Sequence, residues 1–357
     1  MKNIITNKCV AVAMSGGVDS SVTAAILKEK GAKVFGVTMR FACRHPFSGK
    51  NFSWGDEGVV KAQRVAAILG IEHHTLDLSG AMDEYVIRYF TSEYMNARTP
   101  NPCVMCNRKV KFDALWAEAK KLGAEFLATG HYARIENISG EWRIKKAVDP
   151  KKDQSYFLWA IDKNVLPFIL FPLADLTKPE VRILSEKYGL PSHQQKESQD
   201  ICFVPDGYKK FLDEQIDTSI FKPGNFIDQN GKVVGQHQGI LNYTVGQREN
   251  LGIALGHRVY ISKIDKEKNE IHLVLKDQVY SNELVADQVN VLSDKLRDLK
   301  TVQAQARYGA PICGAAVTWI NNAQVKVIFD APQFAITPGQ SVVFYDQDVL
   351  LGGGIIV

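Results

Sequence analysis

The sequence predicts an α/β protein in three parts: an N-terminal doubly wound parallel sheet, a small mixed/β central domain and a C-terminal β-barrel. Three observations carry this. Up to about Tyr188, apolar runs alternate with segments of helical spacing, the pattern of βα crossovers. From about residue 208, helical periodicity gives way to short β-type runs punctuated by Gly and Asn. From Leu284 to Val357 nearly everything reads as short strands, with turns at Asn321-Asn322, Pro338-Gly339 and Gly352-Gly353-Gly354. A chain of 357 residues exceeds what one core usually supports, and the parts are placed at 1–207, 208–278 and 279–357.

The first part begins with an apolar run, Cys9 to Met14, then Ser15-Gly16-Gly17-Val18-Asp19-Ser20-Ser21, a helical pattern from Val18 to Lys30, and a second apolar run, Val34 to Met39. This is one βαβ unit with a glycine pair at its strand-to-helix turn. Glycines there let the backbone curl around anionic oxygens, and the helix start offers unpaired N–H groups. Ser15, Ser20 and Ser21 add hydroxyl donors. The loop lacks the lysine and the spacing of a Walker A loop, so γ-phosphate transfer is not its natural chemistry. Asp19 fits a Mg²⁺ partner or a helix N-terminal charge.

Arg40 to Gly55 reads as an irregular loop. Val59 to Leu69 is helical and stops at Gly70, His74 to Leu78 is a strand, and Met82 to Met95 is an amphipathic helix. His73 and His74 are adjacent and would face opposite sides of a strand, which does not suit a metal pair. Arg98 to Asn107 holds two prolines and a Cys103-x-x-Cys106 pair, and Arg108, Lys109 and Lys111 then open a basic helix. Phe126 to Ala133 is a strand ending in Gly130-His131, with Trp142 to Val148 as a hairpin partner. Lys151 to Leu158 mixes cations, amides and aromatics, a set suited to a phosphate backbone and a stacked base. Lys178 to Tyr188 is a helix capped by Thr177, and Cys202 follows among apolar neighbours, the usual setting of a buried, inert thiol. Four β-type runs follow: Gly224 to Val234, Gln238 to Val245, His257 to Ile264 and Glu270 to Leu275.

Net charge is +4, mildly basic, which permits a polyanionic partner without requiring one. No stretch approaches the roughly 20 apolar residues of a membrane span, and the N-terminus lacks a signal-peptide layout. A cytoplasmic location is expected, where six cysteines are catalytic, metal-bound or buried rather than structural disulfides.

The Ser-Gly-Gly-x-Asp-Ser turn resembles the loop of N-type ATP pyrophosphatases, adenine nucleotide alpha hydrolase-like proteins that adenylate an acceptor oxygen. Together with Asn101 to Phe112, Gly130 to Ala133, Lys152 to Leu158, Ser198 to Phe203, Tyr243 to Ile253, Arg307-Tyr308, Thr337 to Gln340 and Leu351 to Gly354, the whole chain resembles the bacterial tRNA-specific 2-thiouridylases (tRNA-uridine 2-sulfurtransferases). That resemblance implies ATP-dependent replacement of the C2 oxygen of the wobble uridine in tRNAs for Glu, Gln and Lys. It implies ATP held by Ala13, Met14, Ser15, Gly16, Gly17, Val18, Asp19, Ser20, Met39 and Gly130, with Mg²⁺ near Asp19. It implies tRNA contacts from Asn101, Pro102, Cys103, His131, Asp153, Gln154, Ser155, Arg307, Tyr308 and Gln340. It also implies a persulfide on Cys202, with Cys106 releasing the sulfur or closing a Cys106–Cys202 disulfide, and a sulfur donor such as a cysteine desulfurase or relay protein. The family's well-known form has an aspartate where this chain has Cys103. Three thiols, Cys103, Cys106 and Cys202, suit either a [4Fe–4S] cluster with one open iron or the persulfide route. The same loop also serves ATPases that adenylate other acceptors, amide-forming ligases and other tRNA-thiolating enzymes among them.

Overall fold

The computed structural model describes residues 5–44, 49, 51–191 and 201–357. Its first sheet is built from β1 (Cys9–Ala13), β2 (Lys33–Arg44), β3 (Asn51–Trp54), β4 (Glu72–Asp77), β5 (Phe126–Ala128) and β8 (Ile169–Leu170). Five strands are parallel, in the order β4-β2-β1-β5-β8, and β3 adds to β2 as an antiparallel hairpin. That hairpin replaces much of the loop expected over Arg40 to Gly55. Strand order reverses between β1 and β5, so a crevice opens beyond their carboxyl ends, where ligands of such sheets bind.

Helix Val18–Glu29 is buried along Val18 and from Ser20 to Leu27, because it is sandwiched between the sheet and helix Lys178–Lys187. The latter starts as expected: Glu180 reaches back to the Thr177 N–H at 2.7 Å. The expected helix over Met82 to Met95 is continuous from residue 79 to 95, but residues Asp83–Ile87 widen into a π turn. The cysteine segment departs further from expectation. Helix begins at Pro102, not after the cysteines, and Cys106–Leu115 is a ten-residue π-helix. Proline is well placed here, since a first-turn residue needs no N–H partner.

The hairpin β6 (Ala133–Ile138) and β7 (Glu141–Lys146) leaves the first sheet and pairs with the C-terminal barrel, Lys145 opposite Val349. Arg134 and Lys145 both reach the Asp348 carboxylate, at 2.7 and 3.1 Å. The central sheet is mixed, order β10-β9-β12-β11, made by β9 (Gly224–Ile227), β10 (Val233–His237), β11 (Tyr260–Asp265) and β12 (Glu270–Val274), with β9 and β12 parallel. The run Gln238 to Val245 is not a strand but holds a 3₁₀ turn over Ile240–Asn242, because Gly239 sits at φ 97°, outside strand geometry.

The barrel comprises β13 (Tyr280–Val291), β14 (Thr301–Gln305), β15 (Cys313–Trp319), β16 (Val325–Phe334), β17 (Ser341–Asp346) and β18 (Val349–Ile356), closed by pairing of β13 with β18. Its interior is filled by Phe329, Phe344, Leu351 and their neighbours. Gly352-Gly353-Gly354 is not the turn expected from composition; it lies inside β18. A Cβ at Gly353 would lie 2.7 Å from the Trp159 ring, so this glycine lets the barrel seat against the first domain.

Candidate active site

The strand-to-helix turn after β1 is shaped by close approach. Gly16 has φ 75°, and a Cβ there would lie 2.4 Å from Lys61 Cβ on the neighbouring helix Asp56–Leu69. Gly17 has ordinary φ and nothing closer than Ser15 Oγ at 3.4 Å, so only the first glycine is demanded by packing. Gly130 is demanded too: a Cβ would meet Asp19 Cβ at 2.9 Å and Ser20 N at 3.0 Å. The β5 loop is thereby pressed onto the start of helix Val18–Glu29.

Between these turns lies a cavity of about 220 Å³ lined by Ala13, Met14, Ser15, Asp19, Ser20 and Met39, with Lys111, Gly130, His131 and Gln154 on its other walls. Apolar residues line part of it, and the helix start with two serine hydroxyls lies alongside, an arrangement that suits a purine joined to phosphates. Gly16, Gly17 and Val18, in the same turn, do not line it. Ser21 is buried and donates its hydroxyl to the Gly17 carbonyl at 2.8 Å, so it is not the ligand-facing donor expected.

Asp19 is already engaged by the protein. Lys178 Nζ donates to both of its carboxylate oxygens at 2.7 Å, and the Tyr132 hydroxyl donates to Oδ1 at 2.8 Å. Lys178 is only 8% exposed and its backbone N–H is held by Asp149 at 3.0 Å. Among the described residues no group of three or more His, Cys, Asp or Glu is arranged to hold a metal. One carboxylate already shared with an ammonium does not make a protein-built Mg²⁺ cage; a Mg²⁺ here would be held chiefly by the oxygens of a bound triphosphate.

Cys103 and Cys106 sit one helical turn apart, and Cys202 approaches from a separate segment. The stretch Ser198 to Asp200 lies outside the described residues. Cys202 is exposed rather than buried; the buried neighbours are Phe203, packed on Phe90 and Phe211 at 5.4 and 5.1 Å, and Val204. The three thiols lie near enough for Cys106 and Cys103 to bear electrostatically on Cys202. Surrounding protein raises the Cys202 thiol to about 12, with Cys106 and Cys103 adding to the rise, while Lys111 opposes it. Desolvation by the surrounding protein raises Cys103 and Cys106 as well, again opposed by Lys111. All three are free thiols, as are Cys9 and Cys313, so the expected Cys106–Cys202 disulfide is absent. Cys103 and Cys106 lie on one continuous helical stretch and Cys202 on a separate segment, and among the described residues the three are not arranged as a metal-holding group.

His131 is buried against Phe112 and Phe171, with Nδ1 at 2.6 Å from the Thr129 hydroxyl. Burial first, and Lys111 second, hold its pKa well below the usual range, so it is neutral. An unfolded histidine takes its proton near pH 6.5 whereas the folded one does not, so acid favours the unfolded chain. The stability His131 contributes is therefore complete above about pH 6.5 and is lost as pH falls. Denaturant midpoints of wild type and His131→Asn are expected to diverge below pH 6.5, wild type falling more steeply by up to about 1.4 kcal/mol per pH unit. Parallel curves would show that His131 does not titrate this way.

Several residues expected to contact RNA also brace the protein internally. Ser155 is fully buried and donates to Asp153 at 2.6 Å while meeting the Tyr345 hydroxyl at 3.2 Å. Asp153 also accepts from the Ala147 N–H at 2.8 Å, and Gln154 accepts from the Tyr132 N–H at 3.0 Å. Gln340 donates to the Thr99 carbonyl at 2.7 Å, fastening the segment before Asn101 and Pro102 to the barrel. Thr99 donates to the Pro338 carbonyl at 2.8 Å and Arg98 to that of Ile356 at 3.0 Å, completing the clamp. Arg307 and Tyr308, by contrast, are exposed on the turn after β14, with Tyr308 4.5 Å from the Phe157 ring.

Comparison with known proteins follows this geometry. The chain is 47% identical over 352 residues to the tRNA-specific 2-thiouridylase MnmA of Halothermothrix orenii, covering 97% of this chain and 98% of that one. The chain belongs to the tRNA-specific 2-thiouridylase family. The 2-thiouridylase of Carboxydothermus hydrogenoformans is likewise 47% identical, over 366 residues and 99% of both chains. Family models match in three consecutive pieces: a tRNA methyl transferase HUP domain over residues 8–206, a tRNA methyl transferase PRC-barrel domain over 209–275 and an aminomethyltransferase β-barrel domain over 281–356. Among solved structures, the U34-tRNA thiolase NcsA of Methanococcus maripaludis with its [4Fe–4S] cluster aligns at TM-score 0.34 and 20% identity, over 56% of this chain and 62% of that one. A 4-thiouridine synthetase–RNA complex with bound ATP aligns at TM-score 0.34 and 19% identity, over 58% and 50%. No helix among the described residues of this 2-thiouridylase family member is long and apolar enough to cross a membrane.

Sequence reading missed Tyr132 and Lys178 as partners of Asp19, and Lys111 as a lining residue. The first two lie 113 and 159 residues away in the chain and carry no local signal. Lys111 was visible only as part of a basic run.

Proposed function

We propose that this chain converts the C2 oxygen of the wobble uridine of tRNA to sulfur at the expense of ATP, acting on the tRNAs for Glu, Gln and Lys. One observation carries the reading: Lys111 lines the nucleotide-type cavity, and its charge also bears on Cys103, Cys106 and Cys202. A carbonyl oxygen is a poor leaving group, and transfer to an adenylate solves that. In the first step the uridine O2 attacks the α-phosphorus, the α–β bridging bond breaks, and pyrophosphate leaves with the electron pair. The terminal sulfur of a Cys202 persulfide then attacks C2, and AMP departs with the former O2 and its electrons. Cys106 thiolate finally attacks the Cys202 sulfur, forming a Cys106–Cys202 disulfide and leaving sulfur on C2; an external dithiol resets the pair. The free thiols of this structure correspond to the reset state. The persulfide must come from a cysteine desulfurase or sulfur-relay protein, and a cytoplasmic setting keeps the thiols reduced.

Exposed Arg307 and Tyr308, with Phe157 beside them, offer a cation and a stacking face to RNA. The wobble base must leave its stack to reach the cavity. We favour the persulfide over a [4Fe–4S] cluster because it gives Cys202 and Cys106 distinct tasks, and no step here uses iron. A methyl-transfer reaction, suggested by the wording of two family models, gives the thiols no task.

The test is incubation of the anaerobically purified protein with ATP, a cysteine desulfurase supplied with cysteine, and unmodified tRNA, followed by nucleoside mass spectrometry and iron assay. Wobble 2-thiouridine with AMP in equal amounts and no iron is expected. A methylated base would overturn the reading, as would AMP formation without tRNA dependence; activity that tracks iron content would replace the persulfide by a cluster.

A further inference from the structure

Lys111 is the one lysine or arginine among the described residues lining the nucleotide cavity. It is half-buried, and no carboxylate pairs with it among the described residues; its helix neighbour Lys109 has Asp113 at 3.6 Å instead. The other lysine near the phosphate turn, Lys178, is committed to Asp19. The π-helix explains why Lys111 can face the thiols. In an α-helix a residue five positions on is turned roughly 140° from its predecessor. In the Cys106–Leu115 π-helix the i and i+5 residues are joined by one turn, so Lys111 returns toward the side of Cys106. Its charge acts on Cys103, Cys106, Cys202 and His131 alike.

Bond connectivity then locates the phosphorus. In the proposed reaction, which this inference presupposes, sulfur attacks the carbon whose oxygen carries the α-phosphoryl group. The α-phosphorus is therefore two bonds from the carbon that the thiol-borne sulfur must reach. A cation that lines the nucleotide cavity and also faces the thiols stands beside that phosphorus.

We propose that Lys111 is the charge-stabilising residue of adenylation, its ammonium holding the non-bridging oxygens of the α-phosphoryl group as uridine O2 attacks and pyrophosphate departs. It stays protonated throughout and exchanges no atom. The groups facing it are the three thiols, the neutral His131 and the Asp19 carboxylate across the cavity, the last already neutralised by Lys178.

The experiment measures tRNA-dependent AMP formation by Lys111→Met, Lys111→Gln and Lys111→Arg, with wild type assayed in parallel for 2-thiouridine. For the Met and Gln variants kcat is expected to fall about 100-fold or more, with the KM for ATP changed only a few-fold. Lys111→Arg, which keeps the charge, is expected to recover at least about a tenth of wild-type kcat. Thermal melts identify a misfolded variant, and either neutral replacement then serves alone. Wild-type kcat in a neutral variant, loss confined to KM, or equal rates in the Arg and neutral variants would overturn the proposal. If wild type itself makes no 2-thiouridine, the functional reading fails rather than the role of Lys111.

Discussion

Cys202→Ser is expected to lower 2-thiouridine formation by about 1,000-fold or more while AMP release in the presence of tRNA continues. The separation follows from where Cys202 stands. It is exposed and lies near Cys103 and Cys106, while the nucleotide cavity is lined by other residues. Its anchor is the adjacent pair Phe203 and Val204, which stay buried in the variant. Stability should therefore change by no more than about 0.5 kcal/mol. The same thiol is poorly ionised in the resting protein, pushed up to about 12 by its surroundings, so it is a weak nucleophile until loaded with sulfur. Single-turnover assays that quantify AMP and thiolated nucleoside from one reaction decide the matter. Retained thiolation in Cys202→Ser would remove this residue from sulfur transfer, and loss of AMP release would tie it to adenylation instead.

The second large effect concerns Asp19 and Lys178. Asp19→Ala leaves a nearly inaccessible ammonium without its bidentate partner, and breaking a buried pair from one side is strongly destabilising. A cost of about 2–3 kcal/mol is expected, below the usual range because a third of the Asp19 side chain remains in contact with water. Lys178→Met removes the charge as well and should cost less. The double variant Asp19→Ala/Lys178→Met is expected to be more stable than Asp19→Ala alone. Urea denaturation of the four proteins tests this; strictly additive costs would show that the pair is not coupled. All variants lacking Asp19 should also lose adenylation, since Tyr132 and Lys178 hold the start of helix Val18–Glu29 through this carboxylate.

Much of this arrangement could be read from the chain because its signals are local. A glycine pair between an apolar run and a helical pattern marks the phosphate-type turn, and alternating βα segments predict the parallel sheet. What escaped had non-local or geometric causes. Prolines at 100 and 102 suggested that helix could not form near the cysteines, yet Pro102 occupies a first-turn position that tolerates it. A π-helix leaves no compositional trace, so the relation of Cys106 to Lys111 was invisible. The three glycines of β18 looked like a turn because their actual reason, the Trp159 ring pressed against Gly353, comes from nearly two hundred residues earlier. Residues Ser155 and Gln340 have the polarity of RNA contacts, and their internal partners, Asp153 and the Thr99 carbonyl, come from the fold and not from the local sequence.

The clamp made by Arg98, Thr99 and Gln340 has an architectural consequence. The short segment that carries Cys103 and Cys106 is bolted to the terminal barrel, so a disturbance of the barrel is transmitted mechanically to the thiols.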